Sequence, residues 1–215
     1  MFVGHYSVSF AVKSVDKSIP LWVLFLAGQF VDVLWATLVL LGIEKLRVVE
    51  GITASNALDL YYMPYTHSLV AALGWGLFGV VAYKLLRLSR TSAALLVGVA
   101  IFSHWLLDFL VHRPDLPIYD NVIKVGLGLW NYRAVALALE FTLLFVSFWF
   151  YLRATRAVEK SGKYAMGIFV AALAIVQLAS VFGAAPQSDV AVAASGLSLY
   201  LVFAAIAFWL ERKRM

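Results

Sequence analysis

The sequence predicts an all-α polytopic membrane bundle of about six transmembrane helices plus an N-terminal half-helix, on three observations. Of 215 residues, 63% are apolar and only 13% charged, whereas soluble domains carry about 25% charge. Six apolar stretches reach the roughly 20 residues that a bilayer crossing needs, without the alternation of a transmembrane barrel. The basic residues sit beside those stretches, so a net charge of +5 points to a membrane surface and not to nucleic acid.

The N-terminal stretch, residues 1–18, has neither the basic start nor the long apolar core of a cleavable signal. Within it, residues 4–12 are apolar but too short to cross. Lys13 to Ile19 then reads as a polar turn, which makes the preceding segment a half-helix. It is either re-entrant and packed on the first span, or interfacial with His5 exposed. Spans follow near residues 20–43, 67–86, 92–111, 134–152, 164–182 and 190–210. Helix is forced on each, because a chain in lipid must satisfy its own backbone. The chain reads as one membrane domain, with its motifs before residue 140 and none in the pair 164–210.

Two long connections, 44–66 and 112–133, lie on the same side. The prolines and glycines of the second argue against a continued helix. Its Tyr119, Trp130 and Tyr132 form an interfacial belt or line a substrate entrance. With the N-terminus inside, the inner segments hold Lys13, Lys17, Lys84, Arg87, Arg90, Arg153, Arg156, Lys160, Lys163, Arg212, Lys213 and Arg214. The outer segments hold only Lys45, Arg47, Arg113, Lys124 and Arg133. This bias places both termini in the cytoplasm and makes Glu211 to Arg214 a cytoplasmic anchor.

There is no cysteine, so disulfides and thiolate zinc sites are excluded and a metal would need His, Asp or Glu ligands. His104, Asp108 and His112 step by four. Each step turns only about 40° beyond a full helical turn, so the three line one face. A charge inside a bilayer costs at least about 2.5 kcal/mol unless it is paired or wet. A metal supplies that pairing; so would a hydrogen-bonded cluster or a proton path. Asp32 lies in the first span, His67 opens the second behind Thr66 as a plausible N-cap, and Glu140 lies in the fourth.

Depth links these residues. At the helical rise, Asp32 and His104 are each about 18 Å from the cytoplasmic ends of their spans, and Glu140 about 20 Å. A re-entrant half-helix carries His5 about 12 Å up from Lys13. Asp108 and His112 lie higher, and His67 is near the outer surface.

Gly4-His5, Asp32, Thr66-His67-Ser68 and Ser103-His104-x-x-x-Asp108 resemble the bacterial inner-membrane metal-dependent hydrolases, a family also described as LexA-binding. The resemblance covers residues 4 to about 133. The order of His, Asp, His, His-x-x-x-Asp and a further His also resembles the zinc-dependent phospholipase C superfamily. It implies His5, Asp32, His67, His104, Asp108 and His112 as ligands. Two departures bear on the count of ions. Ala136 stands where those enzymes have a second helical His before an acid at Glu140. Their amino terminus binds metal, whereas Met1 is four residues from His5. One or two Zn²⁺ ions are therefore expected.

The function expected from this sequence is a metal-dependent hydrolase of the inner membrane. Metal-activated water would attack a phosphoester or ester of an amphiphilic substrate. Asp32 is best placed to bridge ions or accept a proton, with Asp108 and Glu140 as further catalytic carboxylates and Arg113 a candidate phosphate ligand. The alternatives are a proton- or ion-coupled transporter and a non-catalytic scaffold holding a structural metal.

Overall fold

In chain order the protein forms helices α1 (Val3–Val15), α2 (Leu21–Gly28) and α3 (Phe30–Leu40), then a hairpin of β1 (Lys45–Val48) and β2 (Leu58–Tyr62). Helices α4 (Leu69–Arg87) and α5 (Thr91–Val111) follow, then a second hairpin of β3 (Leu116–Tyr119) and β4 (Val122–Val125). A 3-10 turn at Leu129–Asn131 leads into α6 (Arg133–Ala154), α7 (Lys160–Phe182) and α8 (Asp189–Glu211). This is a computed structural model, and it describes residues 1–87 and 90–214. It is an all-α polytopic bundle: α4 to α8 are each long and apolar enough to cross a membrane. Their outward faces carry unpartnered apolar stripes, such as Leu73, Leu77, Val81 and Leu85 of α4, which lipid covers.

The first span is not continuous. α2 and α3 meet at Gln29 with a bend of 55°. Breaks of this kind survive in a membrane only where protein or a cavity takes up the freed backbone groups. Here Gly28 sits at the break against α1. A Cβ at Gly28 would lie 2.9 Å from the His5 carbonyl oxygen, so only glycine allows this approach. The Ser9 hydroxyl donates to the Leu24 carbonyl at 2.8 Å and fastens the same two helices.

The half-helix is buried among its neighbours and not laid on a surface: His5, Tyr6 and Phe10 are at most 1% exposed. α1 packs against α2, α5 and α6. Lys13 closes the turn that follows. Its ammonium donates to the Lys17 and Ile19 carbonyls at 2.8 and 2.7 Å and pairs with Glu211. The other Glu211 oxygen accepts the Leu21 N–H at 2.8 Å. At its opposite end α1 begins inside the bundle, so Met1 is 8% exposed and its nitrogen lies on Asp108.

The long connections hold more order than their composition suggests. β1 and β2 pair antiparallel, as do β3 and β4 around Asp120 and Asn121. Asp120 takes a φ of 47°, a left-handed conformation that Asp tolerates better than most residues. Thr66 is not the N-cap of the second span. α4 starts at Leu69, and the Ser68 hydroxyl accepts the Ala71 N–H at 3.2 Å, while Thr66 turns to a different partner.

Candidate metal centre

α1, α3, α5 and the two residues before Ser68 bring His5, Asp32, His67, His104, Asp108 and His112 into one cluster. All are buried apart from Asp32, whose side chain is 13% exposed. The Nε2 atoms of the four imidazoles face two carboxylates. His5 Nε2 is 3.2 Å from Asp108 Oδ1. On Asp108 Oδ2 converge His104 Nε2 at 3.2 Å, His67 Nε2 at 3.7 Å and His112 Nε2 at 3.7 Å. Asp32 Oδ1 lies 3.4 Å from His67 Nε2 and 3.5 Å from His104 Nε2. Asp32, which the sequence makes best placed to bridge ions or accept a proton, faces two imidazoles, whereas Asp108 faces all four and has the Met1 nitrogen on its Oδ1.

The tautomers follow from the outer hydrogen bonds. His104 Nδ1 donates to the Gly28 carbonyl at 2.9 Å, and a carbonyl can only accept. The proton of a neutral His104 is therefore on Nδ1, and its Nε2 is a bare lone pair. The bend between α2 and α3 supplies that carbonyl. The Thr66 hydroxyl donates to Glu44 at 2.6 Å, so it accepts from His67 Nδ1 at 2.8 Å. Glu44 is held in turn by the N–H groups of Tyr65 and Thr66 at 2.8 and 3.0 Å. Burial pushes the Glu44 carboxyl above its ordinary pKa, against the pull of those donors.

His112 Nδ1 donates to Asp115 at 2.9 Å. Burial opposes the Asp115 charge, but this bond and Arg113, whose Nε donates at 3.1 Å, hold its carboxyl below the ordinary range. Partners of this kind orient metal-binding imidazoles and raise their basicity. If the cluster holds a metal, Asp115→Asn is accordingly expected to weaken its binding 10–100-fold, read by competition with a chromophoric chelator. Unchanged affinity would remove Asp115 from the support of the site.

The Nε2 lone pairs of His67, His104 and His112 facing carboxylate oxygens repel unless a cation lies between them. That cation is either a metal ion or a proton that makes the ring an imidazolium. The donor set fits a metal. Two groups, His5–His104–Asp108 and Asp32–His67–His104, each have ligand atoms within 4.8 Å of one another. Donors on one tetrahedral zinc at about 2.0–2.1 Å stand about 3.3 Å apart, close to the 3.2–3.7 Å found here. His104 Nε2 and both ring nitrogens of His5 are buried with no hydrogen-bond partner among the described residues. The His5 and His104 rings stack at 3.6 Å and 7°, an arrangement that disfavours both rings being imidazolium.

Asp32, His67, Asp108 and His112 of this cluster form the floor of a cavity of about 640 Å³. Trp130 lines it and packs on the His112 ring at 4.3 Å, whereas Tyr119 and Tyr132 are 62% and 64% exposed and fit a belt. Glu140 lines the cavity but touches no imidazole. It accepts the N–H groups of Phe2 and Gly4 at 2.9 and 3.2 Å and the Gln177 amide at 3.3 Å. Ala136 lines the wall beside it. Arg113 pairs with Asp59 at 2.9 Å and with Asp115 at 3.1 Å and is not among the described residues that line the cavity.

Sequence reasoning missed Gly28, Glu44 and Asp115, which orient the imidazoles, and Gln177 and Tyr200, which line the cavity from α7 and α8. The Ser-His-x-x-x-Asp spacing fixed α5, but the outer partners sit in segments whose composition reads as ordinary turns. No protein-family model, curated protein or solved structure matches this chain.

Proposed function

We propose that the chain is a membrane-embedded metal-dependent hydrolase, of the inner-membrane family its motifs resemble, that cleaves a phosphoester or ester bond of an amphiphilic substrate. The observation that carries this is the convergence of four Nε2 atoms on two carboxylates at the floor of a cavity walled by spanning helices. One or two Zn²⁺ ions suit a donor set of imidazole and carboxylate without thiolate. When bound, zinc supplies a Lewis acid and acidifies water toward a pKa of about 7.

The residues divide the work. His5, His67, His104, His112, Asp108 and Asp32 would hold the metal. The Gly28 carbonyl, Thr66 and Asp115 keep the Nδ1 protons in place, so Nε2 stays free to bind. Asp32 is the more exposed of the two central carboxylates, 13% against 2% for Asp108, and it lines the cavity. Its carboxylate would take up the proton leaving the attacking water. Trp130 covers His112 and shields that edge of the cluster from water.

The test begins with protein purified in detergent and analysed for metal by mass spectrometry, beside His104→Ala. Stoichiometric zinc in the parent and its loss from the variant are expected, followed by turnover in a screen of phosphodiesters and lipid esters. Metal without turnover would leave a scaffold with a structural ion. A metal-free protein that moves ions would leave a transporter.

A further inference from the structure

We infer that Arg133 grips an anionic headgroup at the mouth of the cavity while the apolar tail of the same molecule lies along α6, α7 and α8. The inference rests on the hydrolase reading for the chemistry, and adds the charge and shape of the substrate. Arg113, the basic residue that sequence spacing favours for a phosphate, is committed to Asp59 and Asp115. Arg133 is the only lysine or arginine among the described residues that line the cavity.

Arg133 is already held across the opening. Its Nε donates to the Ala54 carbonyl at 2.5 Å, and its guanidinium lies 5.3 Å from the centre of the Phe182 ring. Ala54 belongs to the loop between β1 and β2, and Phe182 ends α7. The two Nη groups have no hydrogen-bond partner among the described residues. They form the planar fork that meets a phosphate or carboxylate through two parallel bonds.

Behind that fork the walls are apolar. Leu137 of α6, Val176 and Val181 of α7, and Val192 and Leu199 of α8 face the cavity. The buried core between α7 and α8 runs through Phe169, Leu173, Phe203 and Ala204, with the partly buried Val176 and Leu199 packed against its edge. Toward the hairpins these two helices thus enclose space that a tail can fill. A small water-soluble ester would leave this apolar surface uncovered, whereas an amphiphile covers it. Glu50 also lines the cavity, with Asp32, Asp108 and Glu140 deeper. An anion is therefore favoured only between Arg133 and the metal, and this polarity fixes which end of the substrate lies outward.

Binding is measured by native mass spectrometry on zinc-loaded protein in detergent, with phosphatidic acid, diacylglycerol and glycerol 3-phosphate as probes. Phosphatidic acid should be retained about 10-fold or more over diacylglycerol, the factor one charge-assisted hydrogen bond contributes. Glycerol 3-phosphate should bind far more weakly than phosphatidic acid. Arg133→Gln should abolish the preference, Arg133→Lys should keep part of it, and Arg212→Gln at the other end of the bundle should leave it intact. Gly196→Trp, which fills the wall of α8, should reduce retention of both lipids.

An unchanged preference in Arg133→Gln overturns the inference, as does an equal loss in Arg212→Gln. Tight binding of glycerol 3-phosphate would make the site one for free phosphate and overturn the tail. Because binding is read without turnover, an inactive protein with an Arg133-dependent preference fails the hydrolase reading alone. An active zinc enzyme without that preference fails this inference alone.

Discussion

Under the proposed hydrolase function, Asp108→Asn is expected to abolish metal binding and lower turnover by at least about 10³-fold, since loss of an outer partner alone costs 10–100-fold. Both oxygens of Asp108 are in use: Oδ1 faces His5 and the Met1 nitrogen, and Oδ2 faces His67, His104 and His112. Asparagine has the same shape but removes the negative charge and replaces one acceptor with a donor. An NH₂ group cannot coordinate zinc, and it leaves three imidazoles without the anion around which they are arranged. The fold should survive, because the buried apolar clusters that join α5 to α1, α2 and α4 run through Val97, Ala100 and Ile101 and not through Asp108. Metal content, helicity by circular dichroism and turnover on the best lipid ester separate these outcomes. A fully active Asp108→Asn protein would remove Asp108 from the site.

The spans were legible because lipid leaves one solution to the backbone, and apolar length states it directly. The stripe of His104, Asp108 and His112 was legible because a spacing of four on a helix fixes direction as well as distance. His5 was legible only through the shortness of its segment, which forced a half-helix, and the buried α1 agrees. Gln29 broke a span that hydropathy reads as continuous, since apolar runs carry no information on direction. The bend is visible only once α1 requires Gly28 for close approach. The hairpins escaped notice because strands of four or five residues give almost no periodic signal, although Asp120-Asn121 between apolar runs is a two-residue turn signal. α7 and α8 carry no motif because their contribution is a wall, and Leu199 and Val176 look the same in sequence whether they face lipid or a substrate.

Glu140 distinguishes an anchor from a catalytic acid. Its carboxylate accepts the first free N–H groups of α1, where a negative charge also complements the helix dipole. Glu140→Ala leaves these buried donors unpaired at about 1–3 kcal/mol each, which corresponds to a fall in Tm on the order of 10 °C. Because α1 carries His5 into the cluster, loosening its first turn should also weaken zinc retention. Glu140→Gln keeps an acceptor oxygen for the same N–H groups, so it should hold metal and most of the thermal stability, and turnover should remain within a few-fold of the parent. If Glu140→Gln instead kept fold and zinc but lost turnover, the carboxylate would be moving a proton, and its place in the cavity wall beside Gln177 would belong to the reaction and not to the scaffold.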